Sequence, residues 1–106
     1  MYVRMVYLTL KKGKMDEFRD VYTKEIIPTV KKHKGNRFVH LLECREDERE
    51  GISVTAWDTK GDFENYLKSG DYEKLSQKYE PMYEKDPVLK SYEVTASSEP
   101  LILRIF

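Results

Sequence analysis

One cysteine, one tryptophan and two histidines are all that this chain of 106 residues offers of those types, and each scarcity removes a class of chemistry. Cys44 alone cannot close an intramolecular disulfide, so nothing demands an oxidising compartment. His33, His40 and Cys44 form no metal-binding spacing, and the chain has neither a glycine-rich phosphate loop nor a Ser-His-Asp order. Charge of one sign is also missing in excess: 19 Lys and Arg balance 19 Asp and Glu. A nucleic-acid binder would show a basic stripe, and none is present. The one cationic cluster, Lys31, Lys32, His33 and Lys34, stands where a helix ends and complements its dipole. His33 is therefore expected to be solvated. No apolar run is long enough for a signal core or a membrane span, and the expectation is a cytoplasmic protein with no membrane partner.

What is present is a clear alternation of periods. Residues 2–10 read as a strand, with Tyr2, Arg4, Val6, Leu8 and Leu10 on one face and Val3, Met5, Tyr7 and Thr9 on the other. Met15, Phe18, Tyr22, Ile26 and Val30 recur in helical steps. Pro28 lacks a backbone donor, so a kink or a last turn of altered geometry is expected there, and Gly35 is a candidate C-terminal cap. Residues 36–44 and 52–58 read as two strands joined by the wholly polar REDEREG. Thr59 with Asp62 resembles a capping box for a second helix, which the SGD of residues 69–71 breaks before a further helical stretch. Residues 88–95 read as a fourth strand and 101–106 as a short apolar fifth.

This order, β-α-β-β-α-β with a broken second helix and an extra C-terminal strand, is the ferredoxin-like α+β pattern with an antiparallel sheet. It predicts one domain over 1–106, with a core at 1–96 and the terminal strand in 97–106. Helices cover only one face of such a sheet, yet neither face of the first strand is polar. A second copy of the chain covering the other face, in a homodimer, resolves this.

The segment ISVTAWDTKGDFENYLKSGDYEKL resembles the strand, tryptophan and helix run of the antibiotic-biosynthesis monooxygenase domain, within the dimeric α/β-barrel superfamily. Trp57, Phe63, Tyr66, Ser69 and Tyr72 follow that pattern in order and spacing. EIIPTVKKHKGNRF is similar to the family's first-helix end. The resemblance covers about residues 1–96 and implies a dimer with a small apolar pocket between sheet and helices in each subunit. Members include cofactor-free oxygenases of phenols and quinols as well as haem-degrading enzymes. The haem-degrading pattern is incomplete: its first-strand Asn falls near Val6 or Tyr7, and its helical His falls at Ser76.

The resemblance implies a cofactor-independent monooxygenase of a small aromatic or quinol-type metabolite, needing neither cofactor nor metal. The alternative is a non-catalytic dimeric protein that holds a small apolar ligand, haem included. Trp57 is expected as core or pocket wall, with a catalytic role in positioning a flat substrate. His40 shares a face with Phe38, Leu42 and Cys44. It is either a satisfied core histidine or the catalytic base, since imidazole titrates near neutrality and phenol oxidation requires loss of a proton. Phe63, Tyr66, Tyr72 and Tyr79 are the expected substrate-pocket residues, with Tyr83 at the same helical spacing.

Overall fold

The computed structural model describes residues 1–99; the expected strand at 101–106 lies outside them. Four strands form one sheet: β1 (Tyr2–Thr9), β2 (Asn36–Glu43), β3 (Glu50–Trp57) and β4 (Val88–Glu93). Their order is β2-β3-β1-β4 and every neighbouring pair is antiparallel. With two helical excursions packed on one face, this is the α+β, ferredoxin-like arrangement that the order of periods predicts.

The first excursion is α1 (Met15–Val21), a π-helical turn (Tyr22–Ile26) and α2 (Ile27–Lys31). Pro28 explains the wide turn. It cannot donate to the carbonyl four residues back, and the chain widens just before it, so that the Ile27 N–H reaches the Tyr22 carbonyl. The expected distortion is thus a widened turn ahead of the proline. Gly35 does not cap this helix, which ends at Lys31. It adopts φ 85° in the turn leading into β2, where any Cβ would collide with the Asp62 side chain.

The second excursion is α3 (Lys60–Lys68) and α4 (Asp71–Tyr79), followed by a 3-10 turn at Glu80–Met82. Thr59 caps α3 by accepting from the Asp62 backbone N–H at 3.1 Å. Gly70 at φ 86° makes the break between α3 and α4, a conformation that costs glycine little.

Strand pleating then sorts the side chains. Arg4, Val6 and Leu8 of β1 share the helix-covered face with Ser53, Thr55 and Trp57 of β3, as the pairings Arg4 with Thr55 and Val6 with Ser53 require. The main core, including Phe18, Tyr22, Val30, Trp57, Phe63, Leu75 and Tyr79, lies between this face and the helices. The opposite face holds a smaller cluster of Met1, Val3, Val54 and Ala56, flanked by Met5, Phe38, Ile52 and Val94. Among the described residues no helix covers it, and Leu42, Val88 and Tyr92 remain largely exposed there.

The hairpin loop is shorter than REDEREG suggests. Glu50 and Gly51 belong to β3, Gly51 pairs with Glu43, and the Cys44 N–H donates to the Glu50 carbonyl at 2.9 Å.

Candidate active site

Sheet and helices do not close completely on each other. A cavity of about 280 Å³ remains between them. Its floor is Arg4, Val6 and Leu8 of β1 with Ser53 and Thr55 of β3, and its walls are Phe18, Tyr22 and Val30 on one side and Phe63, Tyr66, Tyr72, Leu75 and Tyr79 on the other. Leu89 of the edge strand β4 also lines it while remaining 45% exposed, which marks the side open to solvent.

Aromatic packing fixes the shape of this space. Tyr66 stacks on Trp57 with ring centroids 5.3 Å apart, and Phe63 meets the same indole edge-on at 5.8 Å. Tyr72 stands edge-on to Tyr66, and Tyr79 edge-on to Phe18. These helical residues are held through χ angles with few alternatives, so the cavity is preformed.

Tyr22 is hydrogen-bonded on both sides: its hydroxyl donates to the His40 carbonyl at 2.8 Å and shares a 2.8 Å bond with Ser53 Oγ. Burial pushes its phenol up to about 12. Burial also raises Tyr66, Tyr79 and Tyr83 well above the ordinary phenol value, with neighbouring tyrosines and acidic groups adding to the effect. Near neutrality these side chains keep their protons, so they are O–H donors and not bases. Among the described residues, the hydroxyls of Tyr66, Tyr72, Tyr79 and Tyr83 find no side-chain or backbone partner, in contrast to Tyr22.

The structure divides the site residues expected from sequence. Phe63, Tyr66, Tyr72 and Tyr79 all line the cavity. Trp57 does not. It is fully buried behind the wall, with its Nε1–H donating to Thr55 Oγ1 at 2.9 Å. Its influence on the cavity is exerted through Tyr66, Phe63 and Thr55, which do line it.

His40 is on the opposite, helix-free face, exposed and stacked on Phe38 at 4.4 Å. The shielded position expected of a base is absent, and the thickness of the sheet separates its imidazole from the cavity. His33 departs from expectation in the other direction. It is only 20% exposed, bonds Asp71 Oδ2 through Nε2 at 2.8 Å and stands edge-on to Tyr66 at 4.9 Å. It thereby ties the end of α2 to the start of α4 behind the cavity wall.

Arg4, Tyr22, Ser53 and Thr55 line the cavity without having been singled out from sequence. Strand parity could have found three of them: Arg4 shares its face with Leu8, and Ser53 and Thr55 share theirs with Trp57.

The model of the family described as antibiotic biosynthesis monooxygenase matches residues 1–78. The chain belongs to that family. Solved structures agree on the fold. A Nitrosomonas europaea protein assigned to the antibiotic biosynthesis monooxygenases superposes with a TM-score of 0.80 at 19% identity, covering 91% of this chain and 100% of that one. SnoaB, a cofactor-independent oxygenase from Streptomyces nogalater, was solved in a mutant form and gives 0.81 at 12% identity, covering 92% and 95%. A Deinococcus radiodurans protein assigned to the same family gives 0.80 at 13% identity, covering 93% and 97%. Among curated proteins none matches in sequence. For this family member the solved likenesses establish the architecture. No helix among the described residues is long and apolar enough to cross a membrane.

Proposed function

We propose that the protein is a cofactor-independent monooxygenase that oxidises a small aromatic or quinol-type metabolite in the cavity between sheet and helices. The observation that carries this reading is the cavity itself, apolar and aromatic-walled, with several tyrosine hydroxyls that find no partner among the described residues. A flat ring fits the aromatic walls, and ring oxygens would accept from the tyrosines. In the reaction proposed, the substrate's carbanion or phenolate passes an electron to O2. The radicals recombine, one oxygen atom is retained on the substrate carbon as a carbonyl, and the other leaves as water with two substrate hydrogens. Hydrogen bonds from Tyr66, Tyr72 and Tyr79 to the developing oxyanion would lower that barrier, because they are aimed before the charge appears. Trp57 acts in this scheme as a positioning residue, holding Tyr66 and Thr55.

We further propose that the working unit is a cytoplasmic homodimer whose helix-free sheet faces stack together. The exposure of Leu42, Val88 and Tyr92 on one apolar face supports it.

A second reading, a non-catalytic dimeric binding protein, draws on one specific feature: no Asp, Glu, His or Lys lines the cavity. A general base is therefore missing, and a substrate that does not ionise readily would only be held. The same lining offers no imidazole or thiolate to ligate haem, which disfavours haem as the occupant. Oxygen uptake measured with a panel of hydroquinones and anthrones separates the two readings. Enzyme-dependent uptake is the expected result, and saturable binding of those compounds without uptake would establish the binding protein instead.

A further inference from the structure

Among the described residues, Arg4 is the only formally charged side chain that lines the cavity. Arg19, Arg37 and Arg49 are each paired with a carboxylate, on Glu43 and Asp16, Asp58 and Asp47 respectively, and Arg45 is exposed in the hairpin loop. Arg4 has no acidic partner among the described residues. Its guanidinium lies over the Phe63 ring at 5.3 Å, and its Nη1–H donates to Ser91 Oγ at 2.9 Å. Ser91 Oγ is in turn bonded to the Tyr2 hydroxyl at 2.7 Å. The group is thus held in place by a ring and a hydroxyl, neither of which neutralises it. A guanidinium has five N–H donors in a planar fork, so most of them remain to be used.

A half-buried cation beside apolar walls is unfavourable until an anion meets it, and an arginine fork suits a carboxylate or an ionised phenol. We propose that Arg4 anchors an ionised oxygen of the ligand, so that the cavity selects a small planar aromatic anion over the neutral ring. The remaining wall is compatible with this choice, since it presents O–H donors and no carboxylate that would repel the ligand. The inference rests on the reading that this cavity is the ligand site. Where the anchored oxygen is a phenolate it also answers the missing base, because a phenol that ionises against Arg4, giving its proton to water, needs no general base from the protein.

The test is calorimetric binding of naphthoate and of its neutral isostere naphthamide to the full chain near neutral pH, for wild type, Arg4→Gln and Arg4→Lys. Wild type should prefer naphthoate by roughly tenfold or more, the usual worth of a hydrogen bond to a charged group. Arg4→Gln should bring the two affinities within about threefold of each other while leaving naphthamide binding nearly unchanged, and Arg4→Lys should restore part of the preference. A merely structural role for Arg4 would weaken both ligands alike and leave their ratio intact. Naphthol distinguishes the source of the anion: a naphtholate absorbance band on binding to wild type, lost in Arg4→Gln, identifies a phenolate site, and its absence identifies a carboxylate site. Equal affinity for naphthoate and naphthamide without a naphtholate band, a preference that survives Arg4→Gln, or failure of all three compounds to bind would each overturn the proposal. An Arg4-dependent preference without oxygen uptake on any substrate would retire the oxygenase reading and leave the anion site standing.

Discussion

The two faces of the sheet are built from the same four strands and put to opposite uses. The helix-covered face carries Trp57 and meets Phe63, Tyr66 and Tyr79 of the helices, all buried, around a space that the described residues leave unfilled. The open face carries Val3, Val54 and Ala56, buried among their neighbours, but Leu42, Val88 and Tyr92 stand in solvent. One face has its polar groups placed inside and its apolar groups covered. The other has apolar groups uncovered and a histidine, His40, among them. The proposed ligand cavity inside and the proposed dimer surface outside would account for both arrangements.

The largest effect should come from removing the inner wall's support. Trp57→Ala should cost about 3–5 kcal/mol in a urea melt, the usual range for deleting a fully buried aromatic. It should also abolish ligand binding where the protein still folds, because Tyr66 and Thr55 lose their partner.

Alkaline pH acts on the same face. The Tyr22 phenol is raised by burial to about 12, whereas the unfolded chain releases that proton near 10. The stability it contributes is complete below about pH 10 and is lost as pH climbs toward 12, on the order of 3 kcal/mol from this residue. Tyr66, Tyr79 and Tyr83 shift in the same direction and steepen the loss. Ultraviolet titration should therefore show a group of tyrosines that ionise only as the fold is lost. Smooth titration of every tyrosine near pH 10 in folded protein would mean that the inner face is open to water.

Gly35→Ala should lose about 1–3 kcal/mol, since the left-handed backbone and the Asp62 side chain both oppose a Cβ. Its test is a thermal melt, in which an unchanged midpoint would indicate a different turn.

Charging the outer face sharpens the comparison from the other side. The double variant Leu42→Glu with Tyr92→Glu should sediment as a monomer at micromolar concentration and still bind a cavity ligand. The smallest effect is expected at His40. His40→Ala should leave turnover within about twofold, against the hundredfold or greater loss that a general base would show.

Much of this contrast was legible in the sequence. Thr59 and Gly70 mark their helix boundaries by local chemistry alone, and the steps from Phe63 to Tyr79 place four aromatics toward one side. The face of β2 was not legible. Phe38, His40 and Leu42 alternate with Val39 and Leu41, both sets are largely apolar, and the period-two signal that would orient the strand is lost. The sequence therefore leaves His40 between a core and a catalytic reading, and only the pairing of β2 with β3 puts it outside. The placement of His33 is hidden from the sequence for a different reason. Its partners Asp71 and Tyr66 lie more than thirty residues away along the chain, and no local pattern announces a contact of that range. Arg4 stands among apolar residues on one face of β1, and its lack of a carboxylate partner among the described residues is visible only in three dimensions.

The most direct test of the division between the faces is methyl NMR with naphthoate as the probe. Shifts confined to Val6, Leu75 and Leu89, with Leu42, Ile52 and Val88 unmoved, are the expected result. Shifts at Leu42 and Val88 with the inner methyls silent would put the ligand on the outer face and contradict the account.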